Sequence, residues 1–177
     1  GSMLVDADYY RSGRYLMGVW LLDLVTGKLR LLVEDATDGA IVGGADKASV
    51  LQSVVDVMPL PEEVDRGFLL EVLRARESMG STGIGDGLAI PHVRNPVVMH
   101  IPRPMVSLCF LEHAIDFGAL DGKPVHTLFA IVSPTVRAHL NLLSKLAFGL
   151  REGPFSRAVK GQASREEILL QAARLEE

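Results

Sequence analysis

The 177-residue chain has one cysteine, Cys109, so no internal disulfide can form. It sits in the apolar run Ser107-Leu108-Cys109-Phe110-Leu111, and a reducing, cytoplasmic setting is the simpler expectation. No apolar run approaches the ~18 residues of a spanning helix, so no membrane insertion is expected. Neither sign of charge dominates, with 18 Lys+Arg against 22 Asp+Glu and a formal net charge of −4. A general phosphate-backbone binder needs a basic face, so nucleic acid is not an expected partner. Internal repeats and low-complexity tracts are missing as well. With 48% apolar and 23% charged residues, the composition is globular and not disordered. The length suits one domain, and a chain of ~150 residues buries about two-thirds of its unfolded surface.

The first third is the least regular. Gly1-Ser2-Met3 reads as an expression remnant. Residues 4–14 lack a clear period and are expected to behave as a tail. The apolar runs Val19–Val25 and Leu29–Val33 flank Thr26-Gly27-Lys28, which permits a hairpin, while a helix through Tyr15–Val25 competes with it. The apolar residues of 15–33, Trp20 among them, exceed what a solvated tail displays, so they either dock on the domain or mediate a homodimer.

Clearer signals begin at Asp46, an N-cap for a helix with Val50, Leu51, Val54, Val55 and Met58 at helical spacing. Met58-Pro59-Leu60-Pro61 must end it. Asp65 caps a second helix, with Phe68, Leu69, Val72 and Leu73 inward, running to about Arg76. Leu88–Ile90, Met105–Leu111 and Val125–Val132 read as buried strands. Ser133-Pro134 offers a cap and a first-turn proline for a helix with the stripe Val136, Leu140, Leu143, Ala147 and Leu150. Ser164-Arg165-Glu166-Glu167 has capping-box spacing ahead of a C-terminal helix. Helices precede, interleave with and follow strands. The expected class is therefore α/β, a sandwich of helices around a central mixed β-sheet in a single domain.

Chemistry concentrates in residues 76–92. Four glycines within Gly80–Gly87 allow positive φ and close backbone approach. Ser81, Thr82 and the amides around Gly83 are candidate phosphate-binding groups, since such loops form anion-binding concavities. Arg76 lies on the helix just upstream and carries a planar fork suited to phosphate. The strand Leu88–Ile90 runs into Pro91, which fixes the backbone before His92. A neutral imidazole at pH 7 is a nucleophile without further activation. Taken singly, a lone histidine is more often structural and a glycine-rich loop is weak evidence. The loop is neither a Gly-Lys-Ser/Thr nor a G-x-G-x-x-G nucleotide motif. The conjunction of cation, hydroxyls, flexible backbone and rigidly presented imidazole is what points to phosphoryl chemistry.

The run Ser81-Thr82-Gly83-Ile84-Gly85-Asp86-Gly87-Leu88-Ala89-Ile90-Pro91-His92 closely resembles the active-site segment of type-2 enzyme IIA domains. These are the fructose/mannitol and nitrogen-regulatory proteins of the bacterial phosphoenolpyruvate-dependent phosphotransferase system. Ile115–Val125 and His139-Leu140 match as well, and the resemblance covers about residues 36–174. It implies a domain over 36–177 preceded by an extension or linker remnant over 1–35. It implies that His92 accepts a phosphoryl group from an HPr-type phosphocarrier and passes it to a IIB partner or uses it as a signal. Arg76 matches the family's arginine near the phosphohistidine, and His139 its second active-site histidine. The stand-alone chain slightly favours the nitrogen-type branch over sugar uptake. The competing reading is an interaction module that has kept the fold without phosphotransfer.

No metal or cofactor is required, because transfer runs between protein side chains. A zinc site of His92, His126 and His139 lacks close helical spacing. His126 reads as structural, His100 and His113 as solvated, Cys109 as core, and Asp116 and Asp121 as turn-formers.

Overall fold

Residues 19–23, 28–31, 46–58, 60–96, 101 and 104–176 are described in the computed structural model. The tail assigned to 4–14, the turn residues Thr26 and Gly27, and His100 lie outside them.

Strand β6 (Val125–Val132) is buried almost throughout, in keeping with its apolar run Leu128–Val132. Its side chains alternate between two cores. Leu128, Ala130 and Val132 face helices α1 (Lys47–Val57) and α2 (Arg66–Ser78), where Leu51, Val54, Leu69 and Leu73 are buried. Phe129 and Ile131 face helices α3 (Val136–Gly149), α4 (Pro154–Lys160) and α5 (Arg165–Ala173), where Leu142, Leu146, Phe155 and Ile168 are buried. Two apolar layers flank one sheet, so the α/β sandwich is present as expected.

Among the described residues the sheet has six strands. They are β1 (Val19–Asp23), β2 (Lys28–Leu31), β3 (Gly83–Gly85), β4 (Leu88–Ala89), β5 (Met105–Ile115) and β6, in the order β2-β1-β5-β6-β4-β3. It is mixed, because β4 runs parallel to β6 and the other pairs are antiparallel. In the extension, the hairpin prevails over the competing helix. β1 pairs with β2 on one side and with β5 on the other, with Trp20 opposite Leu108.

Asp46 and Asp65 cap α1 and α2 as expected, accepting from the Ser49 and Phe68 amides. Three expectations need correction. Phe68 is 42% exposed, and Leu69, Leu70 and Leu73 form the inner face of α2. The N-cap of α3 is Thr135, not Ser133, because the Thr135 hydroxyl accepts from the Ala138 amide and Pro134 lies before the helix. The stripe assigned to the α3 core points outward at Val136, Leu140 and Ala147. The buried face is instead His139, Leu142, Leu146 and Gly149. α4 escaped the sequence reading. It starts with Gly153 at φ 120° and Pro154 in its first turn, with no side-chain cap.

Candidate active site

Parallel strands β4 and β6 end side by side, and each delivers one imidazole. β4 continues through Ile90 and Pro91 to His92, which bridges Ile131 of β6, while the Ile131 amide donates to the Pro91 carbonyl at 2.9 Å. β6 passes through Ser133 into α3, whose first turns carry His139 on the inner face. The two rings lie 5.3 Å apart between centroids, tilted by 47°. Carboxyl ends of parallel strands are a recurrent place for ligands in open α/β sheets.

The half-buried His92 is held at both nitrogens. Nδ1 lies 2.7 Å from the Ile90 carbonyl, which can only accept, so Nδ1 carries the proton. That leaves the Nε2 lone pair as acceptor, and the Nε of Arg76 donates to it at 3.3 Å. Arg76 is fixed in turn by donating from a terminal guanidinium nitrogen to the Gly80 carbonyl at 2.8 Å. Burial, foremost, and the Arg76 charge push the His92 pKa down, while the Ile90 hydrogen bond and Glu77 pull it back. The ring is therefore neutral at pH 7, with its free lone pair on Nε2.

His139 is buried, and burial followed by the neighbouring His92 lowers its pKa to about 4. It is neutral at pH 7 and can donate one N–H without adding charge. Its Nδ1 lies 3.3 Å from the Ser133 hydroxyl.

The loop behaves differently from the phosphate cradle expected of Ser81, Thr82 and Gly83. The Ser81 hydroxyl donates to the Phe117 carbonyl at 2.6 Å and accepts from the Gly83 amide at 3.0 Å. The Thr82 hydroxyl and amide both donate to the Glu77 carboxylate, at 2.6 Å and about 3.0 Å. These donors are committed to the protein and are not directed at His92. Gly83 is required for packing, since a Cβ there would lie 2.8 Å from Ala119. Gly87 has φ +76°, and a Cβ on it would meet the His126 ring at 2.2 Å.

Sequence reasoning missed Glu77. Its side chain is buried beside Arg76, bonded to Thr82 and paired at 3.0 Å with Lys47, whose ammonium also lies 4.9 Å from the centre of the Phe117 ring. The only signal was its place after Arg76, because an acidic residue near a helix end ordinarily faces water. His126 sits five positions before Ile131 on β6, about 17 Å along a strand from His92. It contacts the Thr127 hydroxyl at 2.7 Å. Among the described residues, no three His, Cys, Asp or Glu converge as a metal set. Cys109 is buried, and desolvation raises its thiol to about 12. Asp116 and Asp121 accept from the Gly118 and Lys123 amides, two residues on in each case, as turn-formers do.

A family model described as phosphoenolpyruvate-dependent sugar phosphotransferase system, EIIA 2, matches residues 42–172. The chain belongs to this family. The nitrogen regulatory protein of Pseudomonas aeruginosa is 39% identical over 110 residues, covering 60% of this chain and 69% of that relative. The crystal structure of nitrogen regulatory protein IIA-Ntr from Neisseria meningitidis superposes with a TM-score of 0.63 at 27% identity. That match covers 73% of this chain and 88% of the other. Mannitol enzyme IIA of Escherichia coli, solved in complex with its phosphorylated enzyme IIB, shares the fold with a TM-score of 0.56 at 17% identity. It covers 79% of this chain and 98% of that one. The EIIA chain is thus a component of the phosphotransferase system. Among its described residues, no helix is long and apolar enough to cross a membrane.

Proposed function

We propose that this EIIA chain carries a phosphoryl group on Nε2 of His92, received from the phosphohistidine of an HPr-type carrier. The observation that supports this best is the double tether of the ring. With Nδ1–H donated to Ile90, the lone pair on Nε2 faces the Arg76 guanidinium, 3.3 Å away. Nε2 attacks the incoming phosphorus in line, and the phosphorus–nitrogen bond of the donor breaks. The departing imidazole, protonated on its other nitrogen, keeps the bonding pair and leaves neutral, while the His92 ring takes up the positive charge. The His92 Nδ1 proton does not move. Phosphoryl transfer asks little of the protein beyond positioning and charge stabilisation. Arg76 exchanges its bond to Nε2 for the oxygens of the new phosphoryl group, and neutral His139 donates a second hydrogen bond. Ser81, Thr82 and Gly83 shape the turn that holds Arg76 and His92 and do not bind the phosphoryl group.

The onward acceptor is a thiolate on a IIB partner or a regulatory target that reads the phosphorylation state. The likeness to a nitrogen regulatory protein favours the regulatory branch. Residues 36–177 are the unit proposed for this activity. The chain would act in the cytoplasm, and residues 1–35 would be an extension whose hairpin edge is where a homodimer would form. Incubation with phosphoenolpyruvate, the first enzyme of the system and HPr tests the assignment. One acid-labile phosphoryl group on wild type and none on His92→Ala is expected, and labelling of His92→Ala would overturn it.

A further inference from the structure

We infer that Ser133 is a positioning residue that holds His139 with its proton on Nε2, ready to donate to a phosphoryl group on His92. The inference rests on the phosphoacceptor reading of His92.

Ser133 occupies the link between β6 and α3 and is fully buried, while His139 is 4% exposed. The Ser133 hydroxyl has one partner among the described residues, Nδ1 of His139 at 3.3 Å. It does not cap α3, because Thr135 does. A buried hydroxyl must place its proton on an acceptor or lose the hydrogen bond it made to water. If Nδ1 carried the ring proton, it would donate to the serine oxygen and leave the hydroxyl proton with no acceptor. If Nε2 carries it, the hydroxyl donates to Nδ1 and both groups are satisfied. Second partners of this kind commonly select a histidine tautomer. Nε2 of His139 has no partner among the described residues, and the ring lies beside His92. Its N–H is therefore available to an oxygen placed between the two rings.

The test is ¹⁵N NMR of the histidine rings in the unphosphorylated chain, alongside phosphotransfer rates for wild type, Ser133→Ala and Ser133→Thr. Wild type is expected to show a pyridine-type Nδ1 and a pyrrole-type Nε2 at His139. Ser133→Ala should gain the Nδ1–H tautomer and lose roughly 3- to 10-fold in transfer rate, the worth of one neutral hydrogen bond. Ser133→Thr should restore both. An Nδ1–H tautomer in wild type, or a Ser133→Ala variant that slows without a tautomer change, overturns the inference. The expected tautomer in a wild-type protein that takes no phosphoryl group overturns the phosphoacceptor reading instead.

Discussion

Acidification should destabilise this protein through His139, by an amount that follows from its surroundings. The ring has an ordinary pKa of 6.5 and is lowered to about 4 in the fold, burial being the larger cause and His92 the smaller. The sign follows from proton counting. The unfolded chain binds a proton near pH 6.5 and the folded chain resists it, so stability falls as pH drops through that window and the loss levels off below about 4. At about 1.36 kcal/mol per pKa unit, the loss between pH 7 and pH 5 is about 2 kcal/mol. His92 shifts the same way and adds to the total. Carboxylates titrate in the same range, so the quantity to measure is a difference. Urea unfolding of wild type and His139→Gln at both pH values isolates it, and wild type should lose about 2 kcal/mol more than the variant. A difference under about 0.5 kcal/mol would mean that His139 titrates normally, and the lowering assigned to its burial would be refuted.

Two further substitutions separate chemistry from scaffolding. Arg76→Ala removes the guanidinium beside His92 Nε2, and a hydrogen bond to a charged group is worth ~1.5–3 kcal/mol, so transfer should slow by roughly one to two decades with the fold intact. A change under threefold in a quenched-flow phosphotransfer assay would remove Arg76 from the mechanism. Glu77→Gln deprives Lys47 and Thr82 of a buried carboxylate, and since Lys47 is partly solvated the cost should be about 1–3 kcal/mol in urea unfolding. An unchanged midpoint would show that the clamp contributes nothing to the loop.

The helices with one apolar stripe were legible from sequence. Val50, Leu51, Val54, Val55 and Met58 are all buried beside an aspartate cap, as their spacing implied. α3 misled because it carries two stripes. Val136, Leu140 and Ala147 are apolar and outward, while the buried stripe begins with a histidine, which spacing alone assigns to solvent. The seam between β6 and α3 places His139 beside His92, so the buried face starts with a polar side chain. The Ser81 and Thr82 hydroxyls pose a related problem for sequence reading. A hydroxyl in a glycine-rich loop looks available until its acceptor is known, and here the acceptors are the Phe117 carbonyl and Glu77. Ser133 had the residue type and place of a cap, and only the backbone course shows that Thr135 takes that part. His92 itself was legible, because Pro91 and the preceding strand narrow where an imidazole there can sit.

Which ring nitrogen of His92 carries the phosphorus is the most direct measurement of the central assignment. ¹⁵N and ³¹P NMR of the protein phosphorylated through HPr should show phosphorus bonded to Nε2, with Nδ1 still protonated against Ile90. Phosphorus on Nδ1, or on any residue other than His92, would contradict it.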